Sequence, residues 1–211
     1  MSEFSNSNKF FSLSLELGAL IFGDFKLKSG LNSPYFFNMS ALFGGGAIYE
    51  LADLYSNLIL EKEIDFDIIF GPAYKGIPLA SAISSILYNK TKKRIPICFD
   101  RKEPKDHGEG GNFIGAELYG RVLIVDDVLT AGTALRSSVK KTLDSGGMIE
   151  AAIIGLDREE IIADLPVKKT LIRELGFPIY SIAKVSDLLR FLEEDKQYSE
   201  QAALLKSSLK I

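Results

Sequence analysis

The sequence predicts an α/β fold with a mostly parallel central sheet flanked by helices, and three observations carry that expectation. The runs FDIIFG, RIPICFD, RVLIVDDV and MIEAAIIGLD are continuously apolar rather than alternating, as strands covered on both faces must be. The segments between several of them repeat apolar residues every three or four positions, the period of an amphipathic helix. Finally, 211 residues at 46% hydrophobic and 25% charged suffice for one sizeable core, which favours a single domain over two large ones.

Taken in order, Phe10, Leu13, Leu17, Leu20 and Ile21 mark the apolar face of a first helix. The segment GDFKLKSGLNSPYFFNMS carries mixed turn signals and a short strand around Tyr35 to Met39. Ile48, Leu51, Leu54, Tyr55, Leu58 and Ile59 predict a second helix. FDIIFG then reads as a buried strand, GIPLASAISSILYN as a helix, RIPICFD as a strand, and a Gly-rich loop follows. RVLIVDDV, GTALRSSVKKTLDSGG, MIEAAIIGLD and FPIYSIAKV continue as strand, helix, strand and strand. Two short helices, SDLLRFLEED and YSEQAALLKSSLKI, close the chain, with Ser186 and Ser199 as candidate N-caps.

The formal net charge of −3 gives no global basic field to draw the protein onto nucleic acid or an anionic membrane. No run of about 18 apolar residues suggests a membrane span, and MSEFSNSNKF lacks the basic and apolar regions of a signal peptide. A cytoplasmic protein binding neither nucleic acid nor membrane is expected. Cys98 and His107 are single instances of their kinds, so a Cys or His cluster for a transition metal is not expected. Cys98 reads most simply as a small buried apolar residue.

Chemistry concentrates in VLIVDDVLTAGTA, from Val122 to Ala134. Asp126 and Asp127 end an apolar strand, and Thr130 to Thr133 lead into a helix. A helix start presents unpaired N–H groups and the positive end of a dipole. Ala131 and Gly132 leave room for a phosphate, and the Thr130 and Thr133 hydroxyls can donate to it. Carboxylates suit sugar hydroxyls rather than phosphate, so a ribose 5-phosphate satisfies both halves. An acid pair alone also fits a solvated strand terminus. A P-loop metal pair does not fit, because no G-x-x-x-x-G-K-[ST] occurs, and GEGGNFIG fails G-x-G-x-x-G at Phe113.

Four further segments stand beside it. RKEPKDHGEGGNFIG, from Arg101 to Gly115, mixes cations, acids and glycines. It reads either as a solvated surface loop or as a lid in which Arg101, Lys102, Lys105 and His107 close over a diphosphate. FGPAYKGIPLA places Tyr74 and Lys75 before a helix, either as an ordinary turn or as a pyrophosphate cradle. FKLKSGLNSPYFFN offers Lys28 and the aromatics Tyr35, Phe36 and Phe37. Core packing is the plain reading there, and a flat heterocycle read by the Phe36 and Phe37 backbone is the functional one. Arg158 ends LDR and is either a surface residue or a two-pronged partner for a carboxylate.

VDDVLTAGT closely resembles the phosphoribosyl pyrophosphate (PRPP) binding motif of type I phosphoribosyltransferases. With the other segments in this order, the chain resembles orotate phosphoribosyltransferases from about FGDFKLKSG through IGLDRE, and more weakly into the C-terminal helices. The loop RKEPKDHGEGG is the most specific element, whereas residues 160–176 match less clearly. The resemblance implies a type I phosphoribosyltransferase fold over 1–211. Within it, about 1–45 would form a small N-terminal hood, about 46–185 the PRPP-binding core with a mobile catalytic loop, and about 186–211 C-terminal helices.

The activity implied is transfer of ribose 5-phosphate from PRPP to N1 of orotate, giving orotidine 5′-monophosphate and pyrophosphate for UMP synthesis. By motif match Asp126 and Asp127 would hold the ribose hydroxyls, and Val128, Leu129, Thr130, Ala131, Gly132, Thr133 and Ala134 the 5-phosphate. Tyr74, Lys75, Arg101, Lys102, Lys105 and His107 would serve the pyrophosphate, with Lys28 between the substrates. Phe36, Phe37, Thr130 and Arg158 would face orotate. Mg²⁺ would be held mainly by PRPP rather than by protein side chains. The working unit would be a homodimer whose loops reach into each other's sites. A PRPP-sensing regulator and a purine phosphoribosyltransferase are the alternatives. The first should bring a DNA-binding element or basic face, and the second has no evident use for Arg158.

Overall fold

The computed structural model describes residues 5–26, 32–105 and 111–209. Helix α1 (Asn6–Glu16) starts where the Ser5 hydroxyl accepts the Asn8 N–H. It stops one turn earlier than the apolar spacing predicts, because Gly18 turns left-handed (φ 66°). Leu20 and Ile21 therefore open strand β1 (Leu20–Lys26) instead of continuing the helix face. β1 pairs antiparallel with β2 (Asn32–Phe37), and Met39 begins a 3-10 turn rather than ending the strand.

Helix α2 (Ala47–Glu61) buries Leu51, Leu54, Tyr55, Leu58 and Ile59 as its spacing predicts. There follow β3 (Ile68–Phe70), α3 (Gly76–Thr91), β4 (Ile97–Lys105) and β5 (Gly111–Gly115). The last two correct the Gly-rich loop expected after RIPICFD: β4 extends to Lys105 and pairs antiparallel with β5. Glycines that lower strand propensity are tolerated there because the ladder is at the sheet edge. β6 (Gly120–Leu129), α4 (Thr133–Asp144) and β7 (Gly147–Asp157) match the sequence reading.

Residues 160–176 form a short hairpin, β8 (Ile161–Ile162) and β9 (Leu165–Pro166), and then helix α5 (Val167–Leu175). β10 (Ile179–Lys184) runs directly into α6 (Val185–Glu193), and a 3-10 turn precedes α7 (Ser199–Ser208). Neither serine is an N-cap. Ser186 is already inside α6, whose entry is held by the Lys184 N–H donating to Asp187 Oδ2 at 3.0 Å. Ser199 is the first helical residue of α7, after Tyr198.

The main sheet has the order β10-β7-β6-β3-β4-β5, and all pairs but β4 with β5 are parallel. Side chains alternate between two cores. Ile69, Leu123, Val125 and Ile153 join the layer of α1, α2, α3, α6 and α7. Ile68, Phe70, Ile124 and Ile154 join the layer of α4 and α5. The connections from β3 and from β6 thus leave to opposite faces and to opposite sides along the sheet. The gap between their carboxyl ends is a topological switch point, where such sheets bind ligands.

A methyl group on Gly155 would meet Met39 Cε at 2.4 Å, Tyr55 Oη at 2.7 Å and the Asp127 carbonyl at 2.8 Å. Gly155→Ala should therefore destabilise the fold by about 1–3 kcal/mol through overpacking, measured as a lower urea midpoint. An unchanged midpoint would show that the α2–β7 packing yields easily.

Candidate active site

At the switch point β6 outruns β3. Their pairing ends at Phe70 with Ile124, whereas β6 continues beside β7 to the pair Leu129 with Asp157. The exposed edge of this extension is met from below by Tyr55 of α2, whose phenol donates to the Asp126 carbonyl at 2.8 Å. Burial, then the Asp127 and Asp126 charges, hold the Tyr55 phenol well above its ordinary range, so it remains a donor.

Strand alternation sends Asp126 and Asp127 to opposite faces. Asp127 lies on the α3 side and pairs with Lys75 Nζ at 2.6 Å. Asp126 is 9% exposed, and its Oδ1 accepts the Asp127 N–H at 2.9 Å. Burial, reinforced by the Asp127 charge, raises the Asp126 carboxyl well above the usual carboxylate range. The site thus holds one acid paired with a cation and one that is buried without such a partner on its carboxylate among the described residues.

The Thr130–Thr133 turn adopts the geometry an anion pocket needs. Gly132 is left-handed (φ 79°) at the cap of α4, which has no side-chain cap bond. Thr130, Ala131, Thr133 and Ala134 are exposed. The first-turn amides of α4 are therefore presented without a competing side chain, with the helix dipole behind them.

The turn after β3 is fixed from β4. Asp100, buried at the end of RIPICFD, accepts the Ala73 N–H on Oδ1 at 2.6 Å and is bonded by Lys141 Nζ on Oδ2. Asp100 is a site residue that the sequence reading passed over, although a carboxylate ending an apolar strand is the same signal that singled out Asp126. It also narrows the cradle, because the Ala73 amide is already occupied. Tyr74 is exposed, and Lys75 stands at the cap of α3. Arg101 follows Asp100, with its Nε buried and without a hydrogen-bond partner among the described residues. Cys98 packs in the core beside them, and burial pushes its thiol up to about 11, as an inert apolar residue requires.

On the other flank, the Arg158 N–H donates to the Leu129 carbonyl at 3.1 Å, so the end of β7 touches the end of β6. The Arg158 side chain is only 8% exposed. Its guanidinium carbon stands 4.6 Å from the Tyr35 ring centroid, with Nε donating to Glu160 Oε1 at 3.1 Å and Nη2 reaching Ser33 Oγ at 3.4 Å. A planar cation stacked on an aromatic face is well held for a fork to a carboxylate. Tyr35, expected only as core, is thus the floor of this subsite. Burial is the main cause that pushes its phenol up to about 12, and Arg158 opposes the shift. Phe36 is 42% exposed, whereas the Phe37 ring is buried against Phe10, 5.5 Å between centroids. Any Phe37 contact with a ligand would run through its backbone.

The structure thus gathers Lys75, Asp126, Asp127, Thr130–Ala134 and Arg158 at neighbouring strand ends. Lys28 and His107, and the side chains of Lys102 and Lys105, lie outside the described residues. Among the described residues no group of three or more His, Cys, Asp or Glu could hold a metal ion.

Residues 44–160 match the phosphoribosyl transferase domain family. An orotate phosphoribosyltransferase of Legionella pneumophila (strain Lens) is 48% identical over 202 residues, 95% of this chain and 94% of that protein. A crystal structure of orotate phosphoribosyltransferase from Francisella tularensis aligns with a TM-score of 0.79 at 36% identity, covering 92% of this chain and 95% of that one. The Mycobacterium tuberculosis enzyme in complex with PRPP shares the fold, with a TM-score of 0.64 at 21% identity over 86% of this chain and 98% of that one. Sequence likeness over nearly the whole length and the arrangement of acid pair, helix start and stacked arginine agree, and the chain belongs to the orotate phosphoribosyltransferases.

Proposed function

We propose that this chain transfers ribose 5-phosphate from PRPP to N1 of orotate, releasing pyrophosphate and forming orotidine 5′-monophosphate for UMP synthesis. One observation carries the reading beyond the family likeness: a sugar-phosphate site and a stacked, buried arginine occupy adjacent strand ends, joined through Leu129 and Arg158. A purine offers no carboxylate for that arginine, whereas orotate does.

The α4 start holds the 5-phosphate on its amides and on the Thr130 and Thr133 hydroxyls. Asp126 and Asp127 accept from the ribose hydroxyls, which fixes the ring while its anomeric bond lengthens. Lys75, Tyr74 and Arg101 face the diphosphate, joined by Lys102, Lys105 and His107 in the roles the resemblance implies, with Lys28 between the substrates. Arg158 and the Phe36–Phe37 backbone orient orotate, with Thr130 beside it. The C1–O bond to pyrophosphate breaks ahead of N1 attack, its electron pair leaving with the diphosphate, so the ribose carries positive character; N1 then bonds to C1 and its proton passes to the departing diphosphate or to water. Catalysis is then chiefly positioning and charge placement.

Mg²⁺ fits this donor set as an ion carried on PRPP oxygens, since the described acids are already committed to Lys75, Lys141 and backbone amides. When bound, it would supply neutralising charge to the diphosphate. The chain works as one unit over 1–211 in a cytoplasmic homodimer with shared active sites. No helix among the described residues is long and apolar enough to cross a membrane.

Loss of orotate ultraviolet absorbance on mixing protein with orotate, PRPP and Mg²⁺ tests the reaction, with adenine and hypoxanthine as parallel acceptors. Consumption of orotate alone, dependent on both PRPP and Mg²⁺, is expected. Turnover of a purine instead would overturn the Arg158 assignment. Shared sites predict that mixing Arg158→Ala chains with Lys105→Ala chains restores part of the activity in re-formed heterodimers, and no recovery would refute the sharing.

Asp126 also links function to pH. Its folded-state pKa is raised, so the folded chain gains stability by holding that proton and loses this gain as pH rises from about 4 through the raised value. Asp126→Asn should raise the thermal midpoint more at about pH 8 than at about pH 4, while losing most of its transfer activity. An equal effect at both pH values would mean that the acid ionises normally in the fold.

A further inference from the structure

The phosphate turn is supported by an element to which nothing above gives a role. Arg136 lies in the first turn of α4, where a cation opposes the helix dipole, so helix electrostatics do not explain its presence. Its Nη1 donates to the Ala131 carbonyl at 3.1 Å. Its Nε and Nη2 donate to the two oxygens of Glu174 on α5, at 2.8 and 2.6 Å. That pair is forked, the geometry in which arginine is held in orientation as well as in place. Independently, Leu171 of α5 closes on the same turn: a methyl on Gly132 would meet Leu171 Cδ1 at 2.6 Å and Arg136 Nη1 at 3.2 Å.

The consequence follows from the planar trans peptide, in which C=O and the next N–H point in opposite directions. With the Ala131 oxygen drawn to the guanidinium, the Gly132 N–H is turned the other way. A carbonyl facing a bound phosphate would repel it, whereas an amide donates to it. We propose that Arg136 is a positioning residue for the phosphate turn, holding the Ala131 carbonyl so that the Gly132 amide faces the sugar phosphate, and that Glu174 of α5 aims it. This deepens the proposed function and rests on it.

A rival role is separable by sign. If Arg136 served only as a positive charge attracting phosphate, lysine would replace it and removing the Glu174 charge would tighten PRPP binding. If it works as a fork, lysine fails and Glu174→Gln weakens binding. The Arg136–Glu174 pair is exposed on both sides, and such pairs add little stability, so these variants should fold with thermal midpoints close to wild type.

The experiment is calorimetric titration of wild type, Glu174→Gln, Arg136→Lys and Arg136→Ala with PRPP and Mg²⁺, together with steady-state kinetics. Glu174→Gln should weaken PRPP about fivefold, and both Arg136 variants about tenfold, as loss of a forked contact implies. The KM for PRPP should rise while the KM for orotate stays within about twofold. PRPP binding that is unchanged or tighter in Glu174→Gln, or restored in Arg136→Lys, overturns the positioning role. A wild-type chain that binds no PRPP overturns the proposed function, and this inference with it.

Discussion

Strand β6 continues past the end of β3, and the rest of the site depends on that overhang. From Asp126 to Leu129 the strand has a partner on the β7 side only. A ladder edge left open in a buried region would be costly, and the buried Tyr55 phenol donates to the Asp126 carbonyl there. Tyr55 reaches it because Gly155 on the neighbouring strand has no side chain. The sheet can therefore end raggedly at its centre, leaving a notch in which two carboxylates, two turns and a helix start converge.

Two charge pairs at the notch join different elements, and a third lies within the connection after β7. Lys75 before α3 answers Asp127 on β6; Lys141 on α4 answers Asp100 on β4; Glu160 answers Arg158. Each pair sets a charged side chain at the rim of the notch against a partner of opposite sign. On the proposed function, a diphosphate entering beside Lys75 would compete with Asp127 for the ammonium group, and Asp127 would then be open to the ribose hydroxyls. Substrate binding would thereby be an exchange of partners rather than a burial of new charge, which would avoid much of the desolvation cost of an anionic ligand.

The sheet was legible in the sequence because its strands are buried on both faces and read as unbroken apolar runs, and Asp126 with Asp127 stood out as exceptions within one of them. What was not legible had weak or shared signals. Leu20 and Ile21 fit the helical period of α1, and only the backbone conformation of Gly18 separates helix from strand. Three of the five β5 residues are glycine or asparagine, and it is a strand only because β4 pairs with it. Helix α5 has polar residues at most of its positions and buries only Val167 and Leu171, so its role appears only when its contacts with Gly132 and Arg136 are seen. Tyr35 and Asp100 were visible as residue types, but their partners are far away in sequence, Arg158 and Ala73 respectively.

On the proposed function, recognition of the sugar phosphate and recognition of the acceptor would be physically separate in this fold. The helix start of α4 and the acid pair would serve any PRPP-binding protein, because they read phosphate and hydroxyl groups common to all of them. On the proposed function the acceptor would be read by β2 and the end of β7, where Arg158 stands over the Tyr35 ring and Phe36 is exposed. These two halves meet at the end of the β6–β7 ladder, where the Arg158 N–H donates to the Leu129 carbonyl. A change of acceptor could therefore arise in β2 and the β7 end alone, leaving the phosphate turn intact. If the two halves hold the two substrates, a change that displaced Leu129 would disturb both at once, since the residue that leads into the Thr130–Thr133 turn also accepts the Arg158 N–H.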